Sequence, residues 1–289
     1  MEWRGRRESE NVEDQRGRRI SGGGIAGIGG VGVVVVLLVA VLTGQDPTAL
    51  LQSLSGQSAT TSTSSSEPYQ ETAQEHELTQ FVKVVLADTE DIWGGIFQQE
   101  LHREYERPTL VLFSDAVQSG CGNATAQMGP FYCPADHKLY IDLGFYQELK
   151  ERFGAPGDFA QAYVIAHEVG HHVQNLLGVS DKVHAAEESA GKEEANQLSV
   201  RMELQADCYA GVWGNHTQKQ KHVLEQGDLE EAIGAAQAVG DDRLQMQAQG
   251  RVVPETFTHG SAEQRAHWFE AGFSSGDMTR CDTFKPGAP

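Results

Sequence analysis

The sequence predicts an α+β protein: a mainly helical domain with a small sheet, placed behind an N-terminal transmembrane helix. Three observations predict this class. They are a charge-free apolar run near the N-terminus, two short runs of strand-forming residues, and several longer segments whose apolar residues recur with helical spacing. Ordinary globular patterning occupies residues 75–289, and that length suits one domain.

Composition divides the N-terminal part of the chain into three segments. Residues 1–21 are charged and rich in Arg, residues 22–43 carry no charge, and residues 44–74 are rich in Ser, Thr and Gln. The uncharged segment is long enough to cross a bilayer as one helix, and the Arg-rich flank before it predicts a cytoplasmic N-terminus. We therefore expect a cytoplasmic basic tail, a single-pass transmembrane helix, a flexible linker and an extracytoplasmic domain. A cleavable signal peptide is the alternative to the transmembrane helix.

The first half of the domain mixes helical and strand-like patterns. Apolar spacing predicts a helix from residue 75 to about 105, broken or kinked at Gly94–Gly95. Strands are predicted at Thr109–Phe113 and Lys138–Asp142. The loop 119–136 between them contains Gly and Pro, so we expect irregular backbone at a sheet edge, where a protease could pair with an extended substrate.

The second half of the domain is predicted to be helical with one polar interruption. A short helix covers residues 145–153, and Asp158 is a candidate N-cap for a longer helix at 159–177. Residues 180–194 are polar and charged, and helical spacing returns after them. The remaining predicted helices run through residues 198–213, 228–247 and 261–271, the last with Ser261 as its N-cap.

The domain contains four cysteines, Cys121, Cys133, Cys208 and Cys281. Four cysteines allow three pairings, and the sequence alone does not choose among them. A disulfide between Cys121 and Cys133 is favoured because it would close a local loop, and Cys208 would then fasten the C-terminal segment through Cys281. An outward-facing domain makes disulfides reasonable. A cysteine-based zinc site is disfavoured because no Cys-x-x-Cys spacing occurs.

The helix at 159–177 carries the pattern around which the chain is organised. His167 and His171 are four positions apart, so both imidazoles lie on one helix face and can bind the same ion, while Glu168 is rotated by about 100°. Two imidazoles suit Zn²⁺, which in catalytic sites keeps a position open for water, and the adjacent carboxylate can take a proton from that water. Gly170 would leave room over the metal. The alternative is a core helix with hydrogen-bonded histidines.

The third metal ligand is predicted among the acids that follow. One class of site has a third His six residues after His171, but Leu177 stands there, so that class is excluded. The other common class takes a Glu from a later helix. Glu203 is followed one turn later by Asp207, so Glu203 can bind zinc while Asp207 accepts the free N–H of a ligand His. A solvent-facing acid pair is the alternative, and His172 is expected on the helix surface or behind a ligand.

With these residues identified, the chain resembles the YpfJ-like neutral zinc metallopeptidases of bacterial membranes. The similarity covers nearly all of residues 78–284 and the N-terminal anchor. The motifs that carry it are Ser119–Gly122, Gly129–Pro134, Ala166–Gln174, Glu203–Cys208, Gly211–Trp213 and Thr258–Arg265. The resemblance implies a zincin fold with Zn²⁺ bound by His167, His171 and Glu203.

The last of these motifs is also similar to one in the CAAX-type membrane endopeptidases, in which a His followed six residues later by an Arg lies beside the zinc. Carried over to this chain, the similarity implies that His259 donates to the developing oxyanion. It also implies that Arg265 braces the ligand carboxylates. A structural role in a loop is the alternative for His259.

The combined pattern predicts zinc-dependent hydrolysis of peptide bonds, with Glu168 as the general base. Two alternatives stay open: a non-catalytic zinc-containing binding or scaffold module at the cell surface, and an amidase acting on cell-wall peptides. The expected partners are a peptide or protein substrate and, through the N-terminal helix, the membrane. The net charge of −19 argues against nucleic acid, and the sequence does not predict an oligomeric state.

Overall fold

The computed structural model describes residues 1–17 and 69–288. Its strands are β1 (Val12–Asp14), β2 (Thr109–Phe113), β3 (Ala116–Ser119), β4 (Gly122–Thr125), β5 (Phe131–Cys133) and β6 (Lys138–Asp142). Its helices are α1 (Ala73–Gln99), α2 (Phe145–Glu151), α3 (Asp158–Leu176), α4 (Val179–Ser189), α5 (Lys192–Lys221), α6 (Asp228–Ala238), α7 (Asp241–Gln249) and α8 (Ala262–Ser275). The predicted α+β class, mainly helical with a small sheet, is confirmed.

The main sheet has four strands in the order β1-β2-β6-β5. β1 and β6 both pair with β2 in parallel, and β5 pairs with β6 antiparallel. Strands β2 and β6 have the bounds predicted from the sequence. The loop between them is more regular than expected, because β3 and β4 form an antiparallel hairpin and β5 follows it. A disulfide from Cys121, in the turn of that hairpin, to Cys133 holds the hairpin against β5.

Residues 1–17 belong to the domain and do not form a separate tail. Met1–Gly17 lie in the same compact unit as the residues from Glu71 onward. The strand β1 is hydrogen-bonded to β2, and Trp3 is buried against Phe81 of α1. This unit therefore includes residues that lie outside the predicted domain at residues 75–289. Composition alone suggested a solvent-facing tail, but charged residues of this segment also pair with acids of α1.

The predicted transmembrane helix, residues 22–43, lies outside the described residues, as does the predicted linker up to residue 68. Within residues 1–17 and 69–288, no helix combines the length and the apolar character needed to cross a bilayer. The helix α1 begins slightly earlier than predicted, with Thr72 as its N-cap and Glu75 completing a capping box.

Three helix predictions are wrong in detail. The helix α1 is not broken at Gly94 and Gly95, because its flanking apolar residues are buried and a helical Gly costs only about 1 kcal/mol. The alternative, a kink there, stays a prediction. The polar interruption is mostly helical: α4 buries Ser180 and Val183 and turns its other side chains outward. The helix predicted at 228–247 is two helices, because the chain bends at Gly240, where a Cβ would lie 2.3 Å from the backbone nitrogen of Ala262.

One predicted helix N-cap is confirmed and another is wrong. Ser261 caps α8 and forms a capping box with Gln264, as predicted. Asp158 is the first residue of α3, and the N-cap is Gly157. The carboxylate of Asp158 accepts instead from the terminal ammonium of Met1, at 2.5 Å.

Helices α5 and α8 touch through their backbones. A Cβ on Gly272 would lie 2.0 Å from the carbonyl oxygen of Cys208, and one on Gly211 would lie 2.1 Å from the carbonyl oxygen of Phe269. Only glycine fits at these two positions without moving a helix. A second disulfide joins Cys208 to Cys281, which fastens the C-terminal segment to α5 next to this contact.

We predict that Gly272→Ala destabilises the protein by about 2 kcal/mol or more, because the new methyl group must push α8 away from α5. Gly95→Ala is the matched control: it lies in a helix with nothing within 4 Å of the added Cβ. That variant should be neutral or more stable by up to about 1 kcal/mol. Chemical denaturation of the two purified variants measures both effects. Equal stability of the two would show that the helix contact is looser than described.

Candidate metal centre

Helices α3 and α5 bring three predicted ligands together. His167 and His171 extend from one face of α3, and Glu203 reaches them from α5. The Nε2 atom of His167 lies 3.2 Å from one carboxylate oxygen of Glu203, and the Nε2 atom of His171 lies 3.3 Å from the other. One donor atom from each residue falls within 4.8 Å of the other two. The structure therefore groups the residues that spacing alone had selected.

A close approach of the two helices makes this grouping possible. A Cβ on Gly170 of α3 would lie 2.9 Å from the carbonyl oxygen of Ala206 and 3.1 Å from its Cα. Gly170 is thus needed for the close contact with α5, a role that the sequence analysis did not predict. Ala206 lies between Glu203 and Asp207 in the chain, so this contact sets the distance of both carboxylates from the histidines.

The second nitrogen of each imidazole is held by an acceptor. Nδ1 of His167 is 2.8 Å from a carboxylate oxygen of Asp207, as predicted, and Nδ1 of His171 is 2.9 Å from the side-chain oxygen of Gln174. The amide of Gln174 is fixed in this orientation because its NH₂ donates to the carbonyl of Met202 at 2.7 Å. Both Nδ1 atoms are therefore the protonated ones in the neutral rings, and both Nε2 atoms turn a lone pair toward Glu203.

This arrangement fits a divalent cation. Two Nε2 lone pairs and a carboxylate converge at about 3.2–3.3 Å, so three acceptors face one another and repel unless a positive charge lies among them. Two imidazoles and one carboxylate are a ligand set found in catalytic zinc sites. Among residues 1–17 and 69–288, no further His, Cys, Asp or Glu joins the group, which leaves a coordination position for a non-protein ligand.

The pKa shifts of the three residues also indicate that the site favours a positive charge. Burial alone would lower the pKa of His167, but the charge and hydrogen bonds of Asp207 and Glu203 outweigh it and raise that pKa to about 10. The pKa of His171 is also raised, since Glu203 overcomes the effect of burial. Burial would raise the pKa of Glu203, but the two histidines hold it well below its usual range. Protons and a metal ion therefore compete for the same place.

Asp207 is the hub of a buried ion-pair cluster behind the site. Arg265, from α8, makes a two-point contact with it, with Nε to Oδ2 at 2.8 Å and Nη2 to Oδ1 at 2.9 Å. The hydroxyl of Tyr163 donates to Asp207 at 2.5 Å. Arg265 Nη2 is also 3.8 Å from Glu203, so it lies between the two carboxylates, where the family resemblance placed it.

Glu168 faces the same cleft as the three grouped residues, and this cleft has a volume of about 700 Å³. Its side chain is buried, and no described residue donates a hydrogen bond to its carboxylate. Burial raises the pKa of Glu168, an effect that the nearby positive charge of the histidines opposes. A buried carboxylate with unused acceptors and a raised pKa can both accept a proton and give it up.

His259 lies at the cleft wall, held by Asp241. Its Nδ1 is 3.2 Å from an Asp241 oxygen, and the other Asp241 oxygen accepts the backbone N–H groups of Thr258, His259 and Gly260. The hydrogen bond that His259 donates to Asp241 is the main cause that raises the pKa of His259. Its Nε2 has no hydrogen-bond partner among the described residues, so this nitrogen can donate to a ligand in the cleft.

His172 has a different place from the expected one. It is fully buried on the side of α3 that faces β5, so the predicted surface position is wrong. Its Nε2 donates to the carbonyl oxygen of Glu106 at 2.7 Å, and its Nδ1 lies 3.0 Å from the hydroxyl of Tyr132. Burial lowers the pKa of His172 to about 4, so the ring is neutral near pH 7. It joins the helix that carries the histidine pair to the edge strand of the sheet.

Two groups that shape the site, Gln174 and Asp241, were not predicted from the sequence. Gln174 stands three residues after His171, a spacing that could have suggested contact. Asp241 could not be predicted as a partner of His259, because the two residues are 18 positions apart in the sequence and no local pattern links them.

Comparison with known proteins places the chain among uncharacterised bacterial relatives. A family model described as "Putative neutral zinc metallopeptidase" matches residues 1–284. Uncharacterized protein YpfJ of Escherichia coli K12 is 53% identical over 98% of this chain and 99% of its own length. Uncharacterized protein Mb2605 of Mycobacterium bovis is 50% identical over 62% of this chain and 63% of its own length. No solved structure shows significant similarity.

We predict that zinc binding to the metal-free protein at pH 7 releases about one to two protons per ion. His167, with a pKa of about 10, is protonated before the metal arrives and must lose that proton to bind it. The number released should fall as the pH rises through about 10, where the ring is already neutral. Calorimetric titration in buffers of different ionisation enthalpy counts the protons.

His184→Gln is the control for this titration, since that imidazole pairs with Glu187 and is not one of the three grouped residues. It should release the same number of protons as the parent protein. Zinc binding at pH 7 with no proton release would contradict the charge distribution described for the site.

Proposed function

Since this chain belongs to the family of neutral zinc metallopeptidases, we propose that it is a zinc-dependent endopeptidase. The observation that carries the proposal is the convergence of two Nε2 atoms and one carboxylate in a cleft that Glu168 also lines. The Glu168 carboxylate accepts no hydrogen bond from a described residue. In this proposal His167, His171 and Glu203 bind the zinc ion. Asp207 and Arg265 hold those ligands in place, and Glu168 and His259 act on the substrate.

A zinc ion bound by these residues would supply Lewis-acid polarisation of the scissile carbonyl and a water whose pKa is lowered to about 7. Everything else depends on side chains of the protein. Asp207 keeps the proton of His167 on Nδ1, and Gln174 does the same for His171. Each imidazole is thereby fixed in the tautomer and orientation that a metal ligand requires.

Glu168 is proposed to move the proton. Its carboxylate takes a proton from the attacking water and passes it to the nitrogen of the leaving amine. The raised pKa supports both steps, because a base that binds its proton more tightly than an ordinary Glu removes it from water more readily. The absence of a hydrogen-bond donor to this carboxylate among the described residues leaves its oxygens available for water.

His259 is proposed to stabilise the negative charge that develops on the carbonyl oxygen. Its pKa is raised, chiefly by the hydrogen bond to Asp241, which favours the charged ring. Its Nδ1 faces Asp241, so Nε2–H is the donor left for substrate. A positioned cationic donor is worth more in a water-poor cleft than in bulk water.

The substrate class proposed is an extended peptide segment. Among the strands of residues 1–17 and 69–288, β5 is the last of the sheet and pairs on one side only, with β6. Phe131 and Tyr132 of this strand line the same cleft as the histidine pair. An unpaired strand edge can bind an extended peptide through main-chain hydrogen bonds, and such binding does not depend on the peptide's sequence.

An oxidising compartment is proposed as the place where the enzyme works. All four cysteines are in disulfides, Cys121 with Cys133 and Cys208 with Cys281. Disulfides persist in extracytoplasmic compartments and are rare in the cytosol. This supports action outside the cytoplasmic membrane.

We predict that Glu168→Gln abolishes most peptide cleavage while leaving zinc bound and the fold intact. Loss of a general acid–base group lowers the rate by about 10²–10⁴-fold. The measurement is mass spectrometry of a peptide library digested by the full-length protein, with zinc content determined on the same sample. A chelator should stop cleavage by the parent protein, and added zinc should restore it.

Glu187→Gln is the matched control, because Glu187 lines the same cleft but pairs with His184. This variant should cleave within a few-fold of the parent rate. Cleavage by Glu168→Gln near the parent rate would refute the assigned base. A zinc-loaded parent protein that cleaves no peptide in the library would favour a binding module over an enzyme.

A further inference from the structure

The N-terminal segment, residues 1–17, is joined to the domain by backbone hydrogen bonds. β1 runs parallel to β2, with Val12 opposite Leu110 and Asp14 opposite Leu112. Before the strand, the backbone N–H of Ser9 donates to the carbonyl of Lys83 in α1 at 3.0 Å. Main-chain pairing of this kind makes the segment a structural strand of the sheet, with its register set by the partner strand.

Apolar side chains bury the start of the same segment. Trp3 is 7% exposed and meets the ring of Phe81 edge to face, with ring centroids 5.5 Å apart. Phe81 belongs to the buried face of α1, in the core shared with the helix that carries the histidine pair. Removing the segment would therefore open the domain core to water.

Buried charge gives the strongest evidence. The side chain of Glu90 in α1 is fully buried, and all the hydrogen bonds that described residues make to it come from the N-terminal segment. They are donated by Ser9 Oγ at 2.5 Å, Asn11 Nδ2 at 2.8 Å and Arg7 Nη1 at 3.1 Å. The nearest other cation, Arg107, is 4.0 Å away. A buried carboxylate requires such partners, so α1 is built to receive this segment.

A second buried carboxylate of α1 is likewise paired with an arginine of the N-terminal segment. Asp88 is 2% exposed and accepts from Arg6 at 2.6 Å and from Lys221 at 2.7 Å. Arg16, also buried, bonds Glu71 just before α1 at 2.8 Å. Arg6, Arg7 and Arg16, which composition assigned to a cytoplasmic tail, are thus counter-ions of acids in the domain.

These contacts conflict with a single membrane crossing between the two parts. The only long apolar run of the sequence is Ile25–Leu42, and the residues from 43 to 74 contain no second run that could cross back. One crossing would therefore put residues 1–17 and the metal centre on opposite sides of the bilayer. Strand pairing, the buried Trp3 and the Glu90 cluster all require them on the same side.

We propose that residues 1–17 fold as part of the metal-binding domain and lie on the same side of the membrane as the zinc site. The expected topology of a cytoplasmic tail and an outward domain is replaced by one in which both face one compartment. The inference does not depend on catalysis, since it concerns only which parts of the chain touch.

Thiol labelling of the full-length protein tests the proposal. Glu10 is an exposed position of the segment, and Met246 is 53% exposed on the domain, so Glu10→Cys and Met246→Cys each add one accessible thiol. The background is low because the four native cysteines are in disulfides. A membrane-impermeant maleimide is applied to sealed right-side-out and inside-out vesicles from expressing cells.

Both introduced thiols should react in the same preparation, or in every preparation if the protein is not in the membrane. Reaction of position 10 in one vesicle orientation and of position 246 only in the other would overturn the proposal. The labelled preparation also shows which compartment holds the metal centre.

Thermal unfolding tests whether residues 1–17 pack on the domain, independently of membrane orientation. Trp3→Ala in the purified full-length protein should lower the Tm by at least about 6 °C, because a buried aromatic ring is removed from the core. Glu10→Ala is the control and should change the Tm by no more than about 1 °C. Failure of Trp3→Ala alone to fold would also support the proposal. Equal Tm values for the two variants would overturn it, since an undocked segment contributes nothing to stability.

Discussion

The carboxylate of Asp207 is fully buried, and the two helices packed against its own helix neutralise it. Arg265 comes from α8, and Tyr163 and His167 come from α3. A buried charge without partners costs several kcal/mol, so none of these three helices can move without exposing or abandoning it. Because His167 takes part directly, the constraint that holds the helices together also fixes the orientation of a proposed metal ligand.

Glycine contacts and disulfides set the distances that this cluster needs. Gly170 lets α3 approach α5, and Gly272 lets α8 approach α5 from the other side. Of the two disulfides, one ends at Cys133 on the edge strand and the other at Cys208, directly after Asp207. Both walls of the cleft are therefore fastened to the sheet or to the C-terminal segment. Such a preformed cleft needs little reorganisation to bind an ion or a peptide.

Local spacing predicted much of the candidate site. The i, i+4 separation of His167 and His171 follows from helix geometry, and Glu203 with Asp207 repeats it on a second helix. The strands β2 and β6 and the cap at Ser261 were also visible, because each depends on neighbouring residues only. The similarity of one motif to the CAAX-type membrane endopeptidases supplied Arg265, which lies beside Asp207 through contacts between distant helices. The orientation of His171 by Gln174 was missed, because it depends on a third group, the carbonyl of Met202, that fixes the amide.

Long-range pairing could not be predicted. Composition assigned residues 1–17 to a basic tail, since a sequence does not show that Arg6 and Arg7 meet acids some 80 positions away. The polar helix α4 was missed for a related reason: only two of its side chains are buried, so its apolar periodicity is too weak to detect. His172 was expected on the helix surface or behind a ligand. Its actual partners, Tyr132 and Glu106, come from the sheet region and from the loop before it, so no local pattern predicted them.

The central claim is that His167, His171 and Glu203 bind one zinc ion and leave a position for a non-protein ligand. X-ray absorption spectroscopy at the zinc edge of the purified full-length protein tests it most directly. The proposed site predicts two imidazole nitrogens and two oxygens at about 2.0–2.2 Å, with one oxygen lost in Glu203→Ala. A sulfur shell at about 2.3 Å, a zinc environment unchanged in Glu203→Ala, or purified protein that binds no zinc would contradict it.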